Sequence, residues 1–329
     1  MTPEDYTMGR FTGRRRETAL WSASKGTDMS RAIEVLPDWE RVASLCLADD
    51  LRKILVIGAA DRGKSTFCRF LVSRLARSGA RVAFLDSDVG QKDLGPPATL
   101  TRGFLRSPSD PDSLEVDALY FVGSTSPLGH LLPMVAGVRD LADSLTDTVV
   151  VINTTGFIHG AGYVLKSYKI EMLHPDLIIA VDPGEETAAI TYSYSHCCCV
   201  RLLPSPRVVP KSRELRRAAR QKAFARYFQA SSEISLDIRD LTFQRDPEFI
   251  AALAGNRMGA GVRLRVPHSN LLCGLCDREG HCLGLGILDK VGLGSNTISF
   301  LTPVPKDRIR IVQFGDLYLK PDGEELGRK

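Results

Sequence analysis

The sequence lacks long apolar runs, a surplus of either charge and any density of cysteine, and each absence narrows what the protein can be. Its longest apolar stretches, such as Val149 to Ile152 and Leu177 to Val181, fall far short of the ~18 residues that a membrane span requires. No membrane-spanning helix and no membrane partner are expected. The leading segment carries Glu4 and Asp5, then Arg14, Arg15 and Arg16, without the apolar core of a secretion signal, so the expected setting is the cytoplasm. Lysine and arginine number 43 against 39 acidic residues, a net charge of +4, too even a balance to hold nucleic acid tightly by charge alone. Eight cysteines in 329 residues are too few for a disulfide framework. Cys197, Cys198 and Cys199 would alternate between the faces of a strand, so they cannot jointly grip an ion. Cys273, Cys276 and Cys282, with His281, have no second ligand pair to complete a zinc site. The stretch Leu271 to Leu288 reads better as two strands joined by a turn at Asp277-Arg278-Glu279-Gly280. With 43% hydrophobic and 25% charged residues, collagen-like, coiled-coil and wholly disordered classes drop out.

The length suits a large domain with a smaller companion. Residues 1–36, rich in Gly, Ser, Arg and Thr without an apolar period, are expected to form a loose arm. Pro37 opens a helix with Trp39, Val42 and Leu45 on one face, and Leu51 to Ile57 is a β-branched run suited to a buried parallel strand. A glycine loop follows, then a helix over Lys64 to Arg77 stopped at Gly79, then a strand over Arg81 to Leu85. Strands at Thr148 to Ile152 and Leu177 to Val181, with helical patterns at Val135 to Leu145 and Tyr163 to Leu173, extend the alternation. The expected architecture over 37–235 is α/β, a parallel sheet with helices on both faces. Over 236–329 short strands punctuated by Gly274, Gly280, Gly284, Gly286, Gly292 and Gly294 predict a smaller β-rich domain.

Gly58-Ala59-Ala60-Asp61-Arg62-Gly63-Lys64-Ser65, followed by Thr66, matches G-x-x-x-x-G-K-[ST] between a strand and a helix. Glycines let backbone N–H groups surround phosphate oxygens, and the helix N-terminus adds favourable partial charge. Lys64 can reach the β and γ phosphates of a nucleoside triphosphate such as ATP, and Ser65 can coordinate Mg²⁺. The α/β domain is thus expected to be a P-loop NTPase sheet. The second strand runs into Asp86-Ser87-Asp88-Val89-Gly90-Gln91, where Asp86 can order the metal through water and Asp88 can accept a proton from an attacking hydroxyl. Between Arg201 and Arg226 nine basic residues oppose Glu214 alone. From Ser212, a plausible N-cap, this segment reads as a helix in which Arg216 pairs with Arg220 and Arg213 with Arg217. Paired guanidinium groups suit either a lid over a transferring phosphoryl group or a nucleic-acid backbone. After the third buried strand, Thr155-Gly156-Phe157 combines a glycine that permits close approach with a ring on which a base can stack.

Together these elements resemble the polynucleotide 5′-hydroxyl-kinase family, which includes the RNA kinases of messenger 3′-end processing, tRNA splicing and ribosomal RNA maturation. The chain looks like a compact prokaryotic-type member. The matching pieces are the phosphate loop from Gly58 to Thr66, the Asp86–Gln91 segment, the Thr155-Gly156-Phe157 clasp, and an arginine lid running into Tyr227-Phe228. They occur in the family's order, and the likeness spans about Pro37 to Phe228. It implies Mg²⁺-dependent transfer of the γ-phosphoryl group of ATP, or of another nucleoside triphosphate, to the 5′-hydroxyl end of RNA or DNA. Lys64, Arg216 and Arg220 would then stabilise charge on the transferring group, with Asp88 acting on the hydroxyl and Ser65 and Asp86 serving the metal. Gln91, Thr155, Gly156, Phe157, Arg213 and Arg217 would hold the substrate. Family members commonly carry tryptophan where this sequence has Phe157, which bears on the preferred terminal base.

Three rivals use the same loop. A nucleotide-hydrolysing switch or assembly factor would change shape without transferring phosphate to nucleic acid. Its guanine-selective form should carry Asn or Thr, then Lys, any residue and Asp, and Leu319-Lys320-Pro321-Asp322 has the wrong first residue in the wrong domain. A scaffold that keeps ATP only structurally does not need Lys64, Ser65 and Asp88 intact. A kinase of small metabolites does not need so basic a lid.

Overall fold

The computed structural model describes residues 35–49, 51–257 and 268–329, so the expected N-terminal arm lies outside the described residues up to residue 34. Helix α1 (Pro37–Ala48) is followed by β1 (Lys53–Ile57), α2 (Lys64–Arg77), β2 (Val82–Ser87), β3 (Thr99–Leu105) and β4 (Leu114–Phe121). Next come α3 (Leu131–Asp143), β5 (Val149–Thr154), α4 (Ala161–Leu173), β6 (Leu177–Val181), a short α5 (Ala188–Ser193) and β7 (Cys199–Leu202). The chain continues through α6 (Arg213–Phe228), β8 (Ser232–Asp237), β9 (Thr242–Gln244) and α7 (Pro247–Arg257). It ends in β10 (Leu271–Cys276), β11 (Cys282–Gly292), β12 (Thr297–Thr302), β13 (Ile311–Leu319) and β14 (Glu325–Arg328).

Continuous apolar runs become strands buried on both faces. Ile54, Leu55, Val56 and Ile57 are all fully buried, and Leu55 lies opposite Ile152 on one side and Ile178 on the other. Strands β2, β5, β1, β6 and β7 run parallel in that order. Helices α1 and α2 cover one face, where Trp39 meets Phe67 edge-on at 5.3 Å. Met134, Val138 and Leu141 of α3 and Leu165 and Ile170 of α4 cover the other. The carboxyl ends of all five strands share one edge, where ligands of such sheets bind.

Beyond β2 the structure adds a hairpin absent from the sequence expectation: β3 is antiparallel to β2, and β4 to β3. Its polarity conceals it. Arg102 is only 3% exposed, because its guanidinium pairs with Asp117 across the hairpin and donates to the Leu141 carbonyl at 2.6 Å. Through Cys282 opposite Leu119, β4 joins β11, so one 14-stranded sheet continues into the antiparallel order β11-β10-β13-β14. The division expected at 235/236 falls inside β8, which pairs with β12. The expected hairpin over Leu271 to Leu288 is present as β10 and β11, with Gly280 at φ +87° in its turn. Cys276 and Cys282 face each other across that pair, and Cys273 is buried. Among the described residues the group of metal-binding types whose ligand atoms converge is Asp277, Glu279 and His281 in the turn, not the thiols. No described helix is long and apolar enough to cross a membrane.

Candidate active site

The phosphate loop is shaped by close contact. At Gly58 a Cβ would meet the Val181 carbonyl oxygen at 2.4 Å, so any side chain would push β1 and β6 apart. Asp61, at φ +53°, takes a left-handed conformation that aspartate tolerates better than most residues. Gly63, at φ +82°, caps α2 and leaves the unsatisfied N–H groups of its first turn available to an anion. Lys64 is nearly buried, and its Nζ donates to the Ala59 carbonyl at 2.6 Å. Burial pushes its ammonium below the ordinary lysine range, so a phosphate partner would restore what desolvation removes. Ser65 is half-buried beside it, and Thr66 is exposed.

At the end of β2, Asp86 is wholly buried. Its Oδ1 accepts from the Asp88 N–H at 3.2 Å and from Asn153 Nδ2 at 3.3 Å. Its Oδ2 accepts from the N–H groups of Asp93 and Leu94 at 2.8 and 3.2 Å and faces Lys92 Nζ at 3.3 Å. Burial pushes the Asp86 carboxyl up, and the Lys92 ammonium opposes that. Asn153 Nδ2 also donates to Ser65 Oγ at 3.1 Å, while its Oδ1 is buried with no partner among the described residues. Ser65, Asp86 and the orphaned Asn153 oxygen form a hard-oxygen set that fits Mg²⁺. Because hydrogen bonds engage both Asp86 oxygens, this carboxylate would serve the ion through water. Asp88 Oδ1 accepts from the N–H groups of Gly90 and Gln91, each at 2.9 Å, which fixes the carboxylate at the rim. Gln91 itself is half-buried next to it.

The segment entering α6 crosses this loop. The Lys211 N–H donates to Asp61 Oδ2 at 3.0 Å, and Arg216 Nη2 reaches the same oxygen at 2.5 Å. Burial opposes ionisation of Asp61, but Lys211 and Arg216 hold its carboxyl below the usual range. Arg216 Nε is buried and has no hydrogen-bond partner among the described residues. Ser212 caps the helix as expected, accepting from the Leu215 N–H at 3.2 Å. One turn further on, Arg220 donates to Glu325 on β14 at 2.6 Å, so the structure brings Arg216 to the phosphate loop and Arg220 to the C-terminal strands. Arg213 and Arg217 are exposed. The far end of α6 is anchored among C-terminal strands by Phe224, Tyr227 and Phe228, and the Tyr227 hydroxyl accepts from the Leu285 N–H at 2.7 Å. Arg62 binds Glu186 through two hydrogen bonds of 2.8 and 2.5 Å.

The Thr155-Gly156-Phe157 segment rests on the phosphate loop: a Cβ at Gly156 would lie 2.4 Å from the Ala60 nitrogen and Cα. Phe157 is half-buried. Two lysines of α4 that belong to no sequence motif support this corner. Lys166, fully buried, donates to the carbonyl of Thr155 at 2.9 Å, its hydroxyl at 3.1 Å and the carbonyl of Phe157 at 3.1 Å. Lys169, also fully buried, donates to Ser87 Oγ at 2.8 Å, and Ser87 Oγ in turn donates to the Asn153 carbonyl at 2.6 Å. Burial pushes both ammonium groups down, that of Lys169 to about 7. The available signal was an inverted helix: Val164, Tyr168 and Met172 are exposed, while the lysines sit beside buried Leu165, Ile170 and Leu173.

The family model described as the mRNA cleavage and polyadenylation factor CLP1 P-loop matches residues 58–230. A polyribonucleotide 5′-hydroxyl-kinase of Pyrococcus abyssi is 32% identical over 319 residues, which cover 84% of this chain and 90% of that protein. The protein of the same name from Pyrococcus horikoshii is 34% identical over 318 residues, covering 83% and 88%. Among solved structures, a wild-type Clp1p–Pcf11p complex aligns with a TM-score of 0.61 at 11% identity, covering 86% of this chain and 79% of that one. At that identity the likeness is one of fold.

Proposed function

Because the chain belongs to the CLP1 P-loop family, we propose that it transfers the γ-phosphoryl group of ATP, with Mg²⁺, to the 5′-hydroxyl end of RNA. The observation that carries this reading is the reach of Arg216 from the lid to Asp61 of the phosphate loop, with its Nε left unpartnered. That contact sets a guanidinium against the phosphate loop, which supports a role for it in offsetting charge on a transferring phosphoryl group.

In the reaction the terminal 5′ oxygen forms a bond to the γ-phosphorus as the bond to the ADP oxygen breaks. Asp88 orients the hydroxyl and receives its proton. Lys64 and Arg216 offset negative charge on the transferring group. Ser65, Asp86 and Asn153 would hold Mg²⁺, which when bound neutralises charge on the β and γ phosphates. Lys166 holds the carbonyls of Thr155 and Phe157, which keeps Gly156 against the phosphate loop and the Phe157 ring available to a terminal base. Gln91, Arg213 and Arg217 complete the acceptor side. Arg220 would have to leave Glu325 to join the transferring group. A cytoplasmic setting belongs to this reading, and a DNA 5′ end is the alternative acceptor.

The test is incubation with terminally ³²P-labelled ATP and 5′-hydroxyl RNA or DNA oligonucleotides. Label should appear on the RNA with the unmodified protein and not with Lys64→Ala. ATP hydrolysis with no labelled oligonucleotide would overturn the reading in favour of a switch.

A further inference from the structure

The C-terminal strands take no part in the chemistry above, yet a cleft of about 500 Å³ follows their seam with the catalytic half. It lies between the end of β4 and the start of α3 on one side and Phe314, Gly315 and Asp316 of β13 on the other. Because β4 runs parallel to β2 with β3 between them, it opens on the catalytic edge, two strand spacings or about 10 Å from Asp88. The intervening backbone is continuous: the Ala98 N–H donates to Val89 O at 3.0 Å, and the Val122 N–H to Ala98 O at 3.0 Å. The Thr125 carbonyl oxygen lies 2.9 Å from where a Gly90 Cβ would stand, so this seam adjoins Gln91.

The walls combine rings, apolar surface and cations without a carboxylate partner. Arg245 is exposed, lies 5.7 Å from the centroid of half-buried Tyr120, and donates to the Phe121 carbonyl at 2.7 Å. It stands at φ +70°, a conformation uncommon for arginine, so these contacts hold it in place. Leu132 is 85% exposed at the rim. Arg328 touches Thr125 Oγ1 at 3.4 Å, and with Arg217 it lines a second cleft of about 300 Å³ beside Glu325. The acidic residues lining the two clefts are already engaged, Asp316 by His130 at 2.8 Å and Glu325 by Arg220. Arg217, Arg245 and Arg328 have no carboxylate partner among the described residues. Guanidinium groups whose charge no carboxylate offsets, with a ring and apolar surface in the same cleft as Arg245, suit single-stranded polynucleotide, whose phosphates need cations and whose bases need flat faces.

We propose that the nucleotides following the 5′-terminal one run along this seam, with phosphates against Arg328 and Arg245 and a base against Tyr120. The inference rests on the RNA-kinase reading and gives the C-terminal strands a part in substrate binding. It is tested with Arg328→Ala, Arg245→Ala and the double variant, each checked by thermal melting. Binding of a 5′-hydroxyl ten-nucleotide RNA is read by fluorescence anisotropy, and transfer is compared between that RNA and a nucleoside 3′-phosphate. The double variant should bind the RNA at least ~10-fold more weakly, with a salt slope of log K shallower by about 1.4, as two lost single-strand phosphate contacts require. KM for the RNA should rise with kcat kept, and transfer to the mononucleotide should change far less. Unchanged RNA affinity and salt slope, or equal losses on both acceptors, would overturn the proposal. If Arg245→Ala fails to fold, the exposed C-terminal Arg328→Ala alone should lower the slope by about 0.7. A protein that binds the RNA but labels neither acceptor would refute the kinase reading while anisotropy still decides the seam.

Discussion

Replacing Lys169 by methionine should make the protein more stable and less active. Lys169 is fully buried in α4, and burial pushes its ammonium from 10.5 to about 7. At about 1.4 kcal/mol per pH unit, the folded state carries a penalty of roughly 5 kcal/mol while this group is charged. Below pH 7 the lysine is protonated whether folded or unfolded, and the penalty is complete. Between pH 7 and 10.5 only the unfolded chain keeps the proton, so stability rises with pH, and above that range the penalty is gone. Methionine fills similar volume without charge. The loss is one hydrogen bond, worth about 1 to 1.5 kcal/mol, and Ser87 keeps its 2.6 Å bond to the Asn153 carbonyl. The cost of burying the charge therefore outweighs the lost hydrogen bond, and Lys169→Met should gain about 3 kcal/mol near neutral pH. Urea unfolding at pH 6.5, 8.0 and 9.5 should show that gain shrinking as pH rises, with phosphoryl transfer lowered because Ser87 and Asn153 are less firmly held. A variant less stable at pH 6.5, or one whose stability keeps the unmodified pH slope, would refute the reasoning.

Gly156→Ala places a methyl group 2.4 Å from the Ala60 backbone, an overpacking of about 1 to 3 kcal/mol. ATP affinity measured by calorimetry should fall about 5- to 150-fold, and an unchanged affinity would show that the clasp does not rest on the loop. Asn153→Ala removes the link between Ser65 and Asp86. The Mg²⁺ concentration for half-maximal transfer should rise about 10- to 100-fold, as for other groups that orient metal ligands, while ATP binding without Mg²⁺ stays constant. An unshifted Mg²⁺ dependence would remove Asn153 from that role.

The parts of the candidate site written in consecutive residues are legible in the sequence. Gly58 to Ser65, Asp86 to Gln91 and Thr155 to Phe157 are local motifs whose geometry follows from glycine freedom and strand position. The basic helix α6 was legible as a run of charge, but the different partners of its arginines were not. Arg216 and Arg220 share a helical face, and what separates them is Glu325, more than a hundred residues downstream. Polar positions hidden by partners were the least readable. Arg102 disguised β3 because Asp117 and the Leu141 carbonyl satisfy it inside the sheet. The burial of Lys166 and Lys169 is signalled only by the apolar residues exposed on the opposite side of α4, and their partners Thr155, Phe157 and Ser87 lie too far away in the chain to be read from it. The α/β alternation was plain because parallel strands are apolar throughout. The junction with the C-terminal strands was not, because the pairing that carries the sheet across it, Cys282 with Leu119, joins distant segments.

The central step of the proposed reaction is attack by a 5′-hydroxyl at the γ-phosphorus, assisted by Asp88. Single-turnover transfer from labelled ATP to 5′-hydroxyl RNA, compared between the unmodified protein and Asp88→Asn at matched ATP occupancy, measures that step. The expected result is 5′-terminal label from the unmodified protein and transfer slower by ~10² to 10⁴ in the variant with ATP affinity kept, the range attributed to a positioned general base. Equal transfer rates in the two proteins, or label that reaches inorganic phosphate and never RNA, would contradict it.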